Sequence, residues 1–121
     1  MALIKSCLAS GGGNVAPNTY SEFYFDGTTY QSSVNNSYVD GTAISINSFN
    51  VTSISVFGVK GKSNLTSSTN LLQLIGIKSD GTLALIGAVT VNRPVDISDY
   101  DVVIVNSFST GAGLGFNITI A

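Results

Sequence analysis

The chain has 121 residues, of which 44% are apolar and only 10% are charged, whereas a soluble domain usually has about 25% charged residues. Its polarity comes instead from uncharged side chains, with 17 Ser, 11 Thr, 11 Asn and 2 Gln. Disordered chains are rich in charge, disulfide scaffolds need paired cysteines, and nucleic-acid binding needs a basic surface. The low charge content excludes a disordered chain, and the single Cys7 excludes a disulfide scaffold. The net charge of −2 leaves no basic surface for nucleic acid. A membrane-spanning helix needs about 20 consecutive apolar residues, and no apolar run in this sequence comes close to that length.

The N-terminal residues 1–13 differ from the rest of the chain. Met1 to Ala9 has the composition of one strand, and Gly11 to Gly13 follows it as a flexible joint. Two interpretations stay open: a strand that packs on its own sheet, or an assembly arm that adds a strand to a neighbouring copy. In the assembly-arm interpretation, the contact would be made by the apolar residues Leu3, Ile4, Cys7 and Leu8. The segment lacks the apolar stretch of about 7–15 residues of a secretory signal, so we expect synthesis in a cytoplasm without a signal peptide.

Residues 14–121 have the pattern of a single all-β domain. Val51 to Lys60 is rich in β-branched and aromatic residues, and Val102 to Val105 is a β-branched run typical of a strand covered on both faces. Phe116 to Ile120 alternates strictly, which predicts a strand with one buried face. The side chains predicted to face the core are Phe116, Ile118 and Ile120.

Turn signals divide this region into eight or nine short strands. Asp-Gly pairs at Asp26, Asp40 and Asp80 predict hairpin turns in which both residues have positive φ. Ser63 to Asn70 is predicted to be a polar loop. Short strands at this spacing, with few helix formers, favour a sandwich or a barrel. We predict an antiparallel two-sheet β-sandwich with a jelly-roll-like arrangement.

The residue inventory argues against an enzyme. The chain has no His, which is the commonest general base, and its only glutamate is Glu22. Asp96, Asp99 and Asp101 could offer oxygens to calcium, but their spacing is not that of a calcium-binding helix–loop–helix. The prediction is therefore no catalytic residue, no cofactor and no metal.

Aromatic residues concentrate in the first third of the chain. Tyr20 and Tyr24 alternate with Phe23 and Phe25 along one strand, so the tyrosines and the phenylalanines lie on opposite faces. The phenylalanines are predicted to face the core. Tyrosine rings stack on sugars and neighbouring amides bond sugar hydroxyls, although the same residues also build protein interfaces. The alternative function is therefore a carbohydrate-binding, lectin-like module, with a candidate glycan or partner surface at Tyr20, Tyr24, Tyr30 and Tyr38.

One stretch carries a family resemblance. The sequence from Val95 to Val105, VDISDYDVVIV, is similar to the start of a core strand in jelly-roll sandwich domains of tailed-phage tail, baseplate and fibre proteins. The aliphatic hairpin around Ser79 to Thr82 and the alternating final strand fit the same layout, so the resemblance covers roughly residues 40–121.

The resemblance implies a non-enzymatic structural protein of the virion, acting as a decoration, tail or fibre component. It implies that the partners are other copies of the chain, with a trimer favoured, and other virion proteins. A host-surface glycan would be the partner in the alternative function. No nucleic acid or membrane insertion is expected, and no ligand-binding residue can be transferred.

Overall fold

The computed structural model describes residues 15–47, 53–107 and 115–121, so the predicted arm at 1–13 lies outside the described residues. The described residues form ten strands and contain no helix. The strands are β1 (Thr19–Phe25), β2 (Tyr30–Ser37), β3 (Ala43–Ile46), β4 (Ser53–Gly58), β5 (Asn64–Ser67), β6 (Leu71–Ile77), β7 (Leu83–Val89), β8 (Val95–Asp96), β9 (Val102–Ser107) and β10 (Phe116–Ile120).

These strands form two sheets. The larger sheet has the order β2-β1-β4-β9-β6-β7, and the smaller has the order β3-β10-β5-β8. Every strand pair is antiparallel. The predicted all-β, antiparallel two-sheet sandwich is confirmed.

The main core lies between the two sheets. The larger sheet contributes Phe57, Leu74 and Val103, and the smaller contributes Leu65 and Ile118, all fully buried. The prediction for the final strand is confirmed, because its alternate residues Phe116, Ile118 and Ile120 are buried. Strand β9 is central in the larger sheet and is buried on both faces, as its β-branched run predicts.

The larger sheet also has an apolar outer face, on the side away from the smaller sheet. Six aliphatic side chains of β4, β6 and β9 form a second cluster there, and none is more than 8% exposed. Three partly buried hydrophobic residues, Val15, Phe23 and Tyr30, pack against this cluster. We call this surface the outer face; its buried members are Ile54, Val56, Ile75, Ile77, Val102 and Ile104.

Two of the three Asp-Gly pairs form hairpins. Asp26-Gly27 joins the paired strands β1 and β2, and Asp80-Gly81 joins β6 and β7. The hairpin prediction is wrong for Asp40-Gly41, because β2 and β3 belong to different sheets. The turn type also differs: each glycine has a positive φ, but none of the aspartates does. In the two hairpins the aspartate carboxylates accept backbone N–H groups instead, as in the bond from Thr82 N to Asp80 Oδ1 of 2.9 Å.

The polar segment between Ser63 and Asn70 contains a strand rather than only a loop. Leu65 and Ser67 in β5 are buried, while Asn64 is exposed. One leucine among polar residues gave too weak an apolar pattern to indicate a strand. Pairing with β10 and β8 nevertheless fixes this segment in the middle of the smaller sheet.

The stretch that carries the family resemblance has a clear structural role. Asp96 Oδ1 accepts hydrogen bonds from Ser98 N and Ser98 Oγ, at 2.9 and 2.7 Å, which forms a tight turn before β9. Ile97 is fully buried in the core. The ring of Tyr100 fills the space above Gly76, where an added Cβ would lie 2.6 Å from Tyr100 Cγ.

Candidate functional site

The strongest candidate for a functional surface is the edge of the larger sheet at β7. The described residues expose four large hydrophobic side chains, and three of them, Leu83, Leu85 and Val91, lie on or just after this strand. Leu83 is 43% exposed and Leu85 is 66% exposed. Both lie on the outer side of the sheet, because they pair with Ile77 and Ile75 of the outer face.

This edge lacks two of the usual protections against pairing, namely charged residues and proline. Native edge strands are commonly short, charged or interrupted by proline, yet residues 81–92 contain no charge and no proline. The pairing with β6 does shift register near Gly87, and such β-bulges are common at sheet edges because they bend the strand. The edge strands of the smaller sheet are shorter, with four residues in β3 and two in β8. We define the β7 edge as residues 83–91.

The structure does not bring the four tyrosines of the predicted glycan or partner surface together. Tyr20 and Tyr38 are buried in the main core. Tyr20 stacks on Phe57 with ring centroids 5.0 Å apart, and Tyr38 meets the same ring edge-on. Tyr30 packs on the outer face, whereas Tyr24 alternates with Phe23 and points to the other side of the sheet.

The face of β1 that enters the core also differs from the expectation. Tyr20 and Glu22 are buried, while Phe23 is only partly buried and packs on the outer face. The alternation itself is right, but both faces of this strand carry aromatic residues. The sequence pattern therefore could not show which face meets the smaller sheet. The glycan function itself stays a prediction.

A cleft of about 370 Å³ lies beside the two buried tyrosines. The Tyr38 hydroxyl donates to the Gly58 carbonyl at 2.5 Å, and burial raises the pKa of Tyr38 to about 12. The phenol therefore stays protonated, and its buried hydrogen bond links Tyr38 to the last residue of β4. The cleft is lined by Tyr20, Ser37, Tyr38, Val39, Thr42, Ala43, Ile44 and Ser45.

Glu22 is a buried carboxyl group. Its Oε1 accepts a hydrogen bond from Asn47 N at 3.2 Å. Burial raises the pKa of Glu22, and the bond from Asn47 opposes this shift without cancelling it. A raised pKa favours the neutral acid, so Glu22 is a pH-sensitive group within the fold.

A polar network closes the end of the sandwich where β1 begins. Lys62 Nζ lies 3.0 Å from Asp40 Oδ2 and donates to Asn18 Oδ1 at 3.1 Å. Asn18 Nδ2 donates to the other Asp40 oxygen at 2.5 Å. These bonds, above all the one from Lys62, lower the pKa of Asp40. The network connects the segments that precede β1, follow β2 and follow β4, and its role is structural.

The remaining predictions concern the N-terminal arm, metal binding and membrane insertion. The candidate arm residues Leu3, Ile4, Cys7 and Leu8 fall outside the described residues. Within the described ranges, no group of three or more metal-ligating side chains could hold a metal ion. No helix in that part of the chain has the length and hydropathy to cross a membrane.

We compared the chain with protein families, curated proteins and solved structures, and none of them matches it. The function is therefore inferred from its own residues and geometry. Sequence reasoning missed the exposed pair Leu83 and Leu85. Strand β7 is apolar at nearly every position, so its sequence does not distinguish a core strand from an exposed edge.

Proposed function

We propose that the protein is a non-enzymatic structural component of a virus particle, belonging to a tailed phage, that acts through protein–protein assembly. The observation that carries this proposal is the uncharged β7 edge with its exposed leucines. A long apolar edge strand is a template for pairing with another chain. In this proposal that pairing is the function, and the partners are further copies of the chain and other virion proteins.

The order of the strands supports the jelly-roll part of the proposal. From β3 onwards, the chain passes between the two sheets at each connection except the β6–β7 hairpin. The last two strands occupy inner positions, β9 beside β4 and β10 beside β3. Double-sheet jelly rolls wind in this manner and are used in viral capsid and lectin domains. Strands β1 and β2 then extend the larger sheet as an added hairpin.

The composition supports the same proposal. A protein that remains a monomer usually protects its sheet edges with lysine or other charges. Here the second long edge, β2, is also without charge. In the proposed assembly, neighbouring copies would cover these edges and so take the place of the missing charges. The exposed leucines add apolar area that becomes buried on contact.

The proposal is tested by the oligomeric state of the full chain. We expect light scattering after size exclusion to show an oligomer, with a trimer favoured. Leu85→Lys should dissociate it, because a charge would be buried in the contact. Val39→Lys is the matched control, because Val39 is 68% exposed but lies in the β2–β3 connection, and it should leave the oligomer intact.

Two results would contradict the proposed assembly. One is a chain that stays monomeric at every concentration, both alone and with purified particle proteins. The other is an oligomer that Leu85→Lys leaves unchanged. The virion role is tested separately by mass spectrometry of purified phage particles, in which peptides of this chain should be detected. Their absence from the particles would exclude that role.

A further inference from the structure

The polar network at the end of the sandwich brings a primary amine onto a side-chain amide. Lys62 Nζ donates to Asn18 Oδ1 at 3.1 Å, and Asn18 Nδ2 donates to Asp40 Oδ1 at 2.5 Å. The other carboxylate oxygen, Asp40 Oδ2, lies 3.0 Å from Lys62 Nζ. The three side chains therefore form a closed ring, in which one carboxylate contacts both the amine and the amide nitrogen.

The orientation of the Asn18 amide follows from its partners. Its Nδ2 also donates to the Tyr38 carbonyl oxygen at 3.3 Å, so two acceptors lie beside Nδ2 and one donor lies beside Oδ1. The opposite orientation would place the Lys62 amine against an N–H group and Asp40 against a carbonyl oxygen. The amide carbonyl therefore faces the amine, and the amide nitrogen faces the carboxylate.

Backbone hydrogen bonds hold the amine and the amide in these positions. Asn18 N donates to Gly58 O at 3.3 Å, and Asn18 O accepts from Tyr38 N at 2.9 Å. Lys62 N donates to Val59 O at 2.9 Å, and the Lys62 side chain is only 11% exposed. Groups fixed next to one another in this way react far faster than the same groups free in solution.

We propose that the Lys62 amine attacks the Asn18 amide and forms an intramolecular isopeptide bond, with Asp40 as the proton carrier. Lys62 Nζ gives a proton to Asp40, and its freed electron pair forms the bond to Asn18 Cγ. The Cγ–Nδ2 bond then breaks, and its electron pair stays on Nδ2. The two protons that Nζ loses pass through the Asp40 carboxylate to Nδ2, which leaves as ammonium. The positive charge of the lysine leaves with it, and no group is oxidised or reduced.

The contacts of Asp40 suit a proton carrier rather than the group that is attacked. Its two oxygens contact Lys62 Nζ and Asn18 Nδ2, the atoms between which the protons must move. The hydrogen bond from Lys62 is the main cause that lowers the pKa of Asp40, so this carboxyl group is ionised at neutral pH. A carboxylate resists attack because it is negatively charged, whereas the Asn18 amide is neutral and its carbonyl is polarised by the Lys62 N–H.

The bond would join two connections that are distant in the sequence. Asn18 precedes β1 and Lys62 follows β4, with a separation of 44 residues. A cross-link stabilises a fold by constraining its unfolded chain, and more so for long loops. The reaction happens once in each chain and involves no turnover, so it goes beyond the proposed assembly function and does not rest on it.

The mass of the purified full chain is the first test. The bond makes the chain lighter by one ammonia molecule than its sequence requires. Trypsin does not cut after an acylated lysine, so digestion should give a branched peptide that joins Lys62 to Asn18. Lys62→Arg keeps the charge without a reactive amine, and Asn18→Gly removes the amide while accepting the φ of 66°. Both variants should have their full sequence mass.

The matched control is Lys60→Arg, because Lys60 is exposed and lies two residues before Lys62. This variant should keep the loss of ammonia and the branched peptide. Asp40→Ala tests the proton carrier, and most of its chains should remain without the bond. Circular dichroism of each variant verifies that the sandwich is folded, and the mass of the wild-type chain is informative without any variant.

Four results would overturn the proposal. One is a wild-type chain with its full sequence mass. A second is the loss of water with a branch at Asp40, which would make Asp40 the group attacked. A third is conversion of Asn18 to aspartate without a branch, which would show that water attacks the amide. The last is complete bond formation in Asp40→Ala, which would exclude Asp40 as the proton carrier.

Discussion

At the scale of single residues, the fit between Gly76 and Tyr100 makes the first prediction. A methyl group at residue 76 would overlap the Tyr100 ring, so Gly76→Ala should force the ring out of the core. Overpacking of this kind costs about 1–3 kcal/mol in free energy of unfolding. Urea denaturation of Gly76→Ala and the wild type measures the loss.

A double-mutant cycle with Tyr100→Ala tests the cause of that loss. Once the ring is absent, alanine at residue 76 should cost little, because the space above it is free. The two substitutions should therefore be strongly non-additive, as expected for residues in contact. Purely additive losses would show that the ring does not set the requirement for glycine.

The buried carboxyl group of Glu22 leads to a second prediction, about how the stability of the protein depends on pH. Because burial raises the pKa of Glu22 in the folded protein, the unfolded chain ionises first as the pH rises from about 4. Folding then becomes less favourable until the folded carboxyl group has also ionised. We expect Glu22→Gln to be more stable than the wild type at neutral pH, with a difference that shrinks in acid. Urea denaturation between pH 4 and 8 measures it.

Asp26 provides a control of opposite sign. Hydrogen bonds from Thr29 N and Thr28 N lower the pKa of Asp26. The charged form is therefore favoured in the folded state, and Asp26→Asn should lose stability above the usual aspartate pKa and match the wild type in acid. A pH-independent difference for Glu22→Gln would contradict the assigned burial effect.

At the scale of elements, the hairpin between β6 and β7 makes a third prediction. Gly81 has φ of +87° and has no atom within 4 Å of an added Cβ. Gly81→Ala should therefore cost backbone strain alone, about 1–2 kcal/mol, whereas Gly81→Asn should cost less because asparagine tolerates this conformation. Thermal unfolding of both variants measures the difference. Equal losses would point to a cause other than φ.

Elements with strong local patterns were predictable from the sequence. The β-branched run of β9 and the alternation of β10 gave both their strands and their buried faces correctly. The connection at Asp40 was not predictable as a crossing, because an Asp-Gly turn has the same local chemistry whether the next strand pairs with the last or joins another sheet. Strand β5 was missed since its burial depends on the distant partners β8 and β10.

The candidate site was less predictable than the fold. The exposure of Leu85 depends on β7 being the last strand of the larger sheet, which no local pattern records. Tyr20 and Tyr38 likewise enter the core because β1 extends the larger sheet beside β4. Surface and core positions here follow from strand order, and strand order follows from long-range pairing.

At the scale of the whole molecule, the two sheets differ in the polarity of their faces and in the length of their edge strands. The smaller sheet buries its inner face against the main core and ends in short edge strands. The larger sheet is apolar on both faces and has two long, uncharged edges. The proposed assembly therefore involves the larger sheet, at its long uncharged edges.

The position of the last two strands has a consequence for synthesis. Strand β9 separates β4 from β6, and β10 separates β3 from β5, so neither sheet has its central strand until residues 102–120 are made. Pairings this distant in sequence are slow to form. Before residues 102–120 are synthesised, strands β1, β2 and β4, the β6–β7 hairpin and the β5–β8 pair can form only as separate pieces, and β9 and β10 are needed to join them into two sheets.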